Sequence, residues 1–415
     1  MADSAVPPPG VTLIAPSKLG IRTGEFVVMI AGLMALNALA IDVMLPALDD
    51  ISRELGVTHP NDQQLVIYMY ILGFGFPQLV WGPVSDSLGR RPVMFAALIG
   101  YTVTGFACML AKDFALLLAM RFCQGIFAAG VRVVAVSVVR DVFSGRGMAR
   151  IMSLVMTIFM VVPILAPSIG QAIIFVAPWA WTFGILGLAG LLMLAWTYIR
   201  LRETLPEADR WPLNLRATGD AYLQVIRTRV TFGYMCASGV IFGSLFGFIG
   251  SAEQIFTDVF GQEESFPLWF AGIALCLSAA NFTNSRLVER VGMRRLSHGA
   301  LVGFTLLALT LAVAMRVGGE RLEIFFPLFA LIFACFGLIG SNFSALAMEP
   351  QGQHAGTASA VYGFATTTVA SVFGWMIGSQ FDGTSVPLLT GYVLLGLTSL
   401  TIVLIAERGR LFDAR

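Results

Sequence analysis

Charged residues are scarce in this chain. Of its 415 residues, 12% are charged and 57% are hydrophobic, and the mean hydropathy is +0.81. In a soluble globular protein about a quarter of the residues are charged, and most of these lie on the surface. The composition therefore excludes a soluble domain and indicates a polytopic membrane protein.

Cysteine and histidine are also rare. The three histidines, His59, His298 and His354, are far apart in sequence, which argues against a metal site. The cysteines lie in apolar stretches without CxxC spacing, so we expect small buried side chains and no disulfides. They are Cys108, Cys123, Cys236, Cys276 and Cys335. Because no nucleophile or metal set is clustered, the sequence argues against a membrane enzyme, and we expect no cofactor.

Long apolar segments, by contrast, recur along the whole chain. Each has about 20 residues, enough to cross a hydrocarbon core of ~30 Å as a helix. Twelve spans are predicted, at 25–47, 63–84, 92–111, 114–139, 150–175, 178–200, 230–252, 266–285, 297–315, 323–347, 355–380 and 386–406. The predicted fold class is an all-α membrane protein with twelve transmembrane helices.

The basic residues predict the orientation of these spans. Twenty of the 26 fall in the two ends and in the loops on one side of the membrane. Only Arg53, Lys112, Arg316 and Arg321 fall in loops on the other side. Since basic loops stay in the cytoplasm, both ends are predicted to be cytoplasmic. The Pro-rich segment 1–22 is expected to be a disordered tail without a cleavable signal, and 407–415 a second tail.

The chain divides into two similar halves. A charged cytoplasmic linker, 201–229, separates a bundle at 23–200 from a second bundle at 230–406. Each half has a related loop after its second span, SDSLGRRP in the first and VERVGMRR in the second. Aligning Asp86 with Glu289 also aligns Gly89 with Gly292. Internal repeats of this kind place the substrate of a transporter at the repeat interface, near the middle of the bilayer.

Several motifs resemble those of a known family. GPVSDSLGRRP at 82–92 is similar to the loop signature G-x-x-x-D-R-x-G-R-R of the major facilitator superfamily, and RFCQGIFAAG at 121–130 resembles its R-x-x-Q-G-x-x-A-A motif. AIDVMLPAL, VVRD, APSIG and HAGTASAVYG resemble the Bcr/CflA branch of bacterial drug/proton antiporters. The resemblance implies the twelve-helix facilitator fold, proton-coupled efflux and an inner-membrane location.

Asp42 and Arg121 are charged residues at depths where hydrocarbon is expected. Such charges cost roughly 3 to more than 10 kcal/mol, so they are retained mainly where they line the bundle interior. Each lies a few residues from the outer end of its predicted span, so their depths nearly agree. We expect Asp42 to carry the exchanged proton and Arg121 to be its conformational partner. The alternative is a static ion pair that joins the first and fourth spans.

Arg132 departs from the family pattern. It follows Arg121 by eleven residues, which returns it to nearly the same helix face about 16 Å deeper. Arg132 is therefore expected to face the cavity, where it would attract anionic substrates and repel cationic drugs. The alternative is that it snorkels or pairs with a polar group near the cytoplasmic side.

The loop signature and the fifth span are expected to govern the conformational cycle. In the gating loop, Gly82 and Gly89 permit tight turns, and Arg90 and Arg91 lie at the lipid headgroups. Asp86 is expected to accept bonds from a helix N-terminus of the opposite half, locking an outward-open state. In the fifth span, we expect Pro163, Pro167 and Gly170 to allow a bend and close packing against a helix of the other half. Glu253 is interpreted as a wet loop residue, with a second protonatable site as the alternative.

The remaining polar and aromatic residues of the spans predict a mixed substrate cavity. With Arg132, the candidates are Asn37, Tyr68, Gln124, Phe246, Asn342 and Tyr362. The predicted function is proton-coupled export of small amphiphilic drug-like molecules. The alternative is export of an endogenous metabolite, siderophore or sugar, including an anionic one. The expected partners are a small-molecule substrate, protons and the lipid bilayer, with no nucleic acid, and we expect a monomer.

Overall fold

The computed structural model describes residues 20–210 and 212–412, and in those residues every regular element is helical. Most of the predicted N-terminal tail lies outside the described residues, as do the last three residues. Within them, eleven helices are long and apolar enough to cross a membrane, and a bent helix pair makes the twelfth span. The twelve spans predicted from sequence are thus confirmed.

The spans connect in the order expected for two bundles of six. The helices of the N-terminal half are Thr23–Asp42, Leu65–Gly75 with Gln78–Leu88, Arg90–Met109, Phe114–Val142, Gly145–Phe159 with Val161–Val176, and Ala180–Arg200. Those of the C-terminal half are Arg229–Gln254, Phe266–Val291, Met293–Gly318, Leu322–Met348, Ala355–Gly378 and Val386–Ala406. We number them as spans 1 to 12. The end with the basic loops is termed cytoplasmic and the opposite end outer.

The first α-helix of span 1 is interrupted near a proline, within a helical stretch that runs from Thr23 to Glu54. Its helix ends at Asp42, and the chain continues through a 3₁₀ turn at Leu45–Ala47 into a short helix at Leu48–Glu54. Pro46 has no N–H to donate to the carbonyl of Asp42, four residues earlier, so the helix cannot continue through it. Asp42 therefore lies at a helix end rather than five residues inside the span.

Spans 2 and 5 are also interrupted near prolines. The two helices of span 2 meet at an angle of 44°, with Pro77 between them. In span 5 the first helix ends at Phe159, four residues before Pro163, where the proline ring would collide with a helical carbonyl. The helix of span 5 is thus interrupted at Met160, while the expected bend stays a prediction. The break in span 2 was not anticipated.

The repeated loops have the same backbone conformation. Gly89 has φ and ψ of 98° and 158°, and Gly292 has 87° and 149°. In both halves this glycine is the only residue between the end of one helix and the start of the next. A side chain is strained at such positive φ values, so the turn requires glycine. The sequence alignment of the two loops thus corresponds to a structural repeat.

The linker between the halves contains a helix, Leu215–Arg227, that contacts both halves. The Tyr222 hydroxyl donates to the carbonyl of Leu79 in span 2, at 2.7 Å. Val225 is buried in a cluster with Met235 of span 7 and Val361 of span 11. The linker helix therefore lies across the cytoplasmic end of the boundary between the two bundles.

Candidate substrate and proton site

Arg121 is fully buried and ties three spans together. Its Nε donates to the carbonyl of Val66 at 3.0 Å, and one terminal nitrogen donates to the carbonyl of Ala40 at 2.9 Å. The other terminal nitrogen donates to Oε1 of Gln124 at 2.7 Å, and the ring of Tyr70 lies 4.4 Å from the guanidinium carbon. Carbonyl oxygens of spans 1 and 2 therefore hold this charge, and a ring of span 2 covers it.

Asp42 does not pair with Arg121 in this conformation. Its side chain is 4% exposed, at the end of span 1 and two residues beyond the carbonyl of Ala40 that Arg121 holds. Among the described residues, no basic nitrogen lies within 4.0 Å of its carboxylate. The two side chains thus share one region of the N-terminal half but remain separate. Their proposed roles in proton coupling stay predictions.

Span 5 packs directly against the turn that follows Asp42. A Cβ atom placed on Gly170 would lie 1.9 Å from the carbonyl oxygen of Val43 and 3.3 Å from Pro46. Only glycine permits this approach of the two backbones. Gly170 and its neighbour Pro167 are both buried. Gly170 therefore packs against the end of span 1 in its own half, beside the buried acid, and not against a helix of the other half as expected.

Asn37 and Gln124, two of the predicted cavity residues, surround Arg121. Gln124 is fully buried and accepts from the guanidinium. Asn37 accepts a hydrogen bond of 2.9 Å from the hydroxyl of Tyr70, whose ring covers the guanidinium. These polar groups therefore support the arginine from within the N-terminal half.

Asn342 and Tyr362 lie in the C-terminal half, each bonded within it. The Asn342 amide donates to Oδ1 of Asn284 at 2.6 Å, joining spans 10 and 8. The Tyr362 hydroxyl donates to Ser238 at 2.7 Å, joining spans 11 and 7. The predicted cavity residues thus fall into separate groups in this conformation, and their contact with substrate stays a prediction.

The outer ends of the two halves are joined by hydrogen bonds, which we term the outer seam. Tyr68 donates to the carbonyls of Phe246 and Gly374, at 3.1 and 2.9 Å. Gln64 donates to the side chain of Gln254 at 2.6 Å and to the carbonyl of Gly378 at 3.0 Å. Tyr68 and Phe246, predicted to line the cavity, are therefore part of the contact that closes its outer end.

Asn61 completes the outer seam. Its amide donates to the carbonyls of Ser379 and Phe381, at 3.0 and 2.9 Å. Sequence reasoning missed the roles of Asn61 and Gln64. The signal was the polar run NDQQ at 61–64, directly before an apolar span whose other flank is a basic loop.

Glu253 is not a wet loop residue, and that preferred interpretation is wrong. It lies in the last turn of span 7 with 7% exposure, and Gln63 approaches its carboxylate at 3.5 Å. It lines an outer cavity of about 500 Å³, together with Asp49 and Glu263. The predicted span ended at 252, one residue before this acid, whereas the helix continues to Gln254.

The gating loop forms an ion network inside the N-terminal half. Arg90 is 3% exposed and donates to Asp86, to Ser85 and, at 2.8 Å, to Asp141 at the end of span 4. The expectation that Arg90 lies at the headgroups is therefore wrong. In this conformation Asp86 instead faces an arginine of its own half, and its expected contact in an outward-open state stays a prediction. A buried arginine needs counter-charges, and two acids of its own bundle supply them.

Arg91 and Glu203 complete this loop. Glu203 accepts from the main-chain N–H groups of Arg90 and Arg91, at 2.9 and 3.1 Å, so it caps the N-terminus of span 3. Arg91 packs over the rings of Phe95 and Tyr198, at 5.0 and 5.7 Å. Gly82 lies inside the helix Gln78–Leu88, so the expectation that it forms a tight turn is wrong. A Cβ atom added to it would lie 4.0 Å from Val133 of span 4. Sequence reasoning missed Glu203, which lies in the linker that no motif covered.

Arg132 is half-buried and has few partners. One terminal nitrogen lies 3.5 Å from Oε1 of Gln78. Its guanidinium carbon lies 5.7 Å from the ring of Phe74. Among the described residues, no carboxylate comes within 4.0 Å. The predicted alternative of a polar partner on a neighbouring helix is met by Gln78, but that amide leaves the charge uncompensated.

Comparisons with known proteins agree with this architecture. The profile of the Major Facilitator Superfamily matches residues 30–375. The bicyclomycin resistance protein homolog of Haemophilus influenzae is 29% identical over 374 residues, covering 88% of this chain and 91% of that protein. The multidrug resistance protein MdtL of Vibrio parahaemolyticus is 24% identical over 390 residues, covering 92% and 96%.

A solved structure shares the same fold at low identity. The partially occluded, inward-open xylose transporter XylE of Escherichia coli superposes with a TM-score of 0.71, covering 91% of this chain and 98% of that one, at 12% identity. The twelve spans, the repeated glycine turn and the matched profile lead to one conclusion. The chain is a multi-pass membrane transporter that belongs to the Major Facilitator Superfamily.

Proposed function

We propose that this protein is a proton-driven antiporter that exports small amphiphilic molecules from the cytoplasm by alternating access. The observation that carries the proposal is the buried carboxyl of Asp42, which has no ionic partner among the described residues. An acid inside the membrane without a bound cation changes its charge only by exchanging a proton with water. Intramembrane acids of this kind mark proton relays.

The contacts of Arg121 provide a way to couple that proton to a change of shape. In this conformation its donors are bonded to the carbonyls of Ala40 and Val66 and to Gln124. Loss of the proton from Asp42 creates an anion close to the carbonyl of Ala40, and the anion competes for those donors. Transferring the guanidinium to Asp42 releases span 2 from span 4, so the charge of one acid biases the packing of three spans.

The outer seam supports an alternating opening. Its hydrogen bonds join side chains to carbonyls and amides, and a typical bond of this kind contributes only about 1 kcal/mol net, because water replaces it. A seam of such bonds opens and closes at low cost. Opening it would expose the region of Asp42 to the outer side and admit the proton.

The proposed cargo follows from the names of the relatives, which are drug-resistance proteins. The basic loops set the proposed orientation, in which both ends of the chain lie in the cytoplasm. The protein is proposed to act as a monomer in a bacterial inner membrane. A second candidate function, export of an anionic metabolite, is favoured by one observation, the uncompensated charge of Arg132.

The test uses inside-out membrane vesicles with an imposed proton gradient. Addition of chloramphenicol should release protons from vesicles with the wild-type protein, seen as recovery of a quenched pH-sensitive dye. Asp42→Asn should abolish the recovery while the protein still folds. The matched control is Asp49→Asn, the same change at an exposed site seven residues along, and it should respond like wild type. Undiminished proton release with Asp42→Asn would overturn the proposal.

A further inference from the structure

Arg132 is placed where the two halves meet at mid-membrane. Gln78, which it contacts, begins the second helix of span 2, and the Gln78 amide nitrogen lies 3.4 Å from the hydroxyl of Thr367 in span 11. A Cβ on Gly363 would lie 2.6 Å from the Gln78 amide oxygen. The arginine therefore reaches the C-terminal half through a single amide. It lies about ten residues, or about 15 Å, from the cytoplasmic end of span 4.

The two buried arginines among the described residues of this half each have several hydrogen-bond acceptors, and the half-buried Arg132 has one. Arg90 bonds to the carboxylates of Asp86 and Asp141, and Arg121 bonds to three oxygens. A guanidinium has five N–H donors, and Arg132 uses one of them, at the long distance of 3.5 Å to Gln78. Its remaining donors have no hydrogen-bond acceptor among the described residues.

The acids nearest along the same helices are not available to Arg132. Asp86 follows Gln78 by about two helical turns, and Asp141 follows Arg132 by more than two. Both are held by Arg90 at the cytoplasmic end. A conformational change that transferred either acid to Arg132 would leave Arg90 buried without a counter-charge. The missing anion must therefore come from outside the protein.

We infer that Arg132 is the substrate-binding residue for a carboxylate or similar anionic group. The group is held between the guanidinium and the contact of Gln78 with Thr367. The inference rests on the proposed transport function and specifies which of its amphiphilic substrates bind most tightly, namely organic anions. The planar guanidinium matches a carboxylate with two parallel hydrogen bonds. Phe74, whose ring faces the guanidinium, supplies an apolar surface for the rest of the molecule.

The same geometry explains why the site is specific for an anion. An uncharged amide ligand would leave the buried positive charge uncompensated, and an amine would add a second one. A charge-assisted pair binds more tightly than a neutral hydrogen bond, and the difference corresponds to about tenfold or more in affinity. The ratio of the affinities for an acid and for its amide therefore measures the contribution of Arg132 to binding.

The experiment measures binding to the purified protein in detergent at pH 7.5. The probes are matched pairs of graded size: benzoate and benzamide, indole-3-acetate and its amide, and naphthalene-1-acetate and its amide. At least one acid should bind wild-type protein about tenfold more tightly than its amide. Arg132→Gln should reduce that ratio to about one, and Arg132→Lys, which keeps the charge but not the fork, should give an intermediate value.

A further variant makes the outcome unambiguous. Arg286→Gln removes an exposed arginine that also lies over a phenylalanine ring, and it should keep the wild-type ratio. Equal binding of every acid and its amide to wild type, or a ratio unchanged in Arg132→Gln, would overturn the inference. If the wild-type protein prefers the acids to their amides as expected but releases no protons in the vesicle experiment, that result would count against the proposed antiport alone.

Discussion

The Tyr68 hydroxyl donates to the main-chain carbonyl of Gly374 at 2.9 Å, and the two residues belong to opposite halves of the protein. The same hydroxyl reaches the carbonyl of Phe246. One phenol thus bonds span 2 to spans 7 and 11 at the outer seam. Both bonds can therefore be removed by replacing Tyr68 with phenylalanine, which lacks only the hydroxyl group.

Tyr68→Phe should open the outer seam more often. Losing the hydroxyl removes about 1 kcal/mol from the closed state, which is roughly a fivefold change in the ratio of open to closed molecules. Double electron–electron resonance between spin labels at the exposed positions His59 and Glu264 measures the separation of the outer ends. A larger population of long distances is expected.

The control for the seam is Tyr392→Phe. Its hydroxyl donates to the carbonyl of Ser244 at 2.6 Å, a bond that lies wholly within the C-terminal half. This variant should lose stability without changing the distance distribution. Identical distributions for Tyr68→Phe and wild type would show that the seam does not hold the outer end closed.

Gly170→Ala should separate span 5 from the turn after Asp42. The added methyl carbon would lie 1.9 Å from the carbonyl of Val43, so one backbone has to move. Such overpacking costs about 1–3 kcal/mol, and we expect a lower unfolding temperature and slower transport. Both are measured on the purified and the reconstituted protein.

Gly147→Ala is the matched control for the fifth span. It lies in the first helix of the same span, is exposed, and its added Cβ would meet only Phe143 at 3.9 Å. Alanine favours the helix by up to about 1 kcal/mol, so stability should stay the same or rise. Equal unfolding temperatures for Gly170→Ala and Gly147→Ala would contradict the close approach.

Glu407 should make the stability of the C-terminal half depend on pH. Burial raises the pKa of its carboxyl, but hydrogen bonds from Arg294 and Tyr234 outweigh burial and bring the pKa below its ordinary value. A lowered pKa stabilises the fold above the unfolded value of about 4.3 and loses that effect as the pH falls through the folded value. The unfolding temperature of Glu407→Gln should therefore differ most from wild type near pH 7, and the difference should narrow towards pH 3.5.

The comparison for this acid is Glu323→Gln at the exposed outer end of span 10. It should follow the wild-type curve throughout the pH range. A difference between Glu407→Gln and wild type that stays constant from pH 7 to pH 3.5 would exclude the ion pair with Arg294 as its cause.

Hydrophobic runs were sufficient to predict the spans of this protein. Span 12 has the predicted bounds, 386–406, and the spans on either side of the linker differ from prediction by at most two residues. Prolines explain the interruptions of spans 1 and 2, because Pro46 and Pro77 break helices without reducing hydropathy. The charged end of span 8 was missed for another reason, because its helix continues to Val291 through polar residues. The glycine turns at Gly89 and Gly292 were predictable because the sequence around the two glycines repeats.

The partners of the buried charges were harder to predict. Periodicity gives the depth and the face of Arg121, but it does not distinguish a carboxylate from a main-chain carbonyl as the acceptor, and the carbonyls of Ala40 and Val66 have no sequence signal. Arg90 looked like a headgroup residue because its acid, Asp141, lies 51 positions away. Pairing across helices depends on tertiary packing, which a single sequence does not encode visibly.

Arg121 and Arg132 have a consequence for the energetics of the resting cell. The oxygen atoms that accept hydrogen bonds from the two arginines belong to neutral groups. Each guanidinium therefore keeps a net positive charge inside the membrane. An electric field across the membrane acts on such charges, and moving one elementary charge through the full potential is worth ~2.3 kcal/mol per 100 mV. Any rocking of the N-terminal bundle that shifts these guanidinium groups along the membrane normal is therefore voltage-sensitive, and an inside-negative potential favours the arrangement that brings them nearer the cytoplasm.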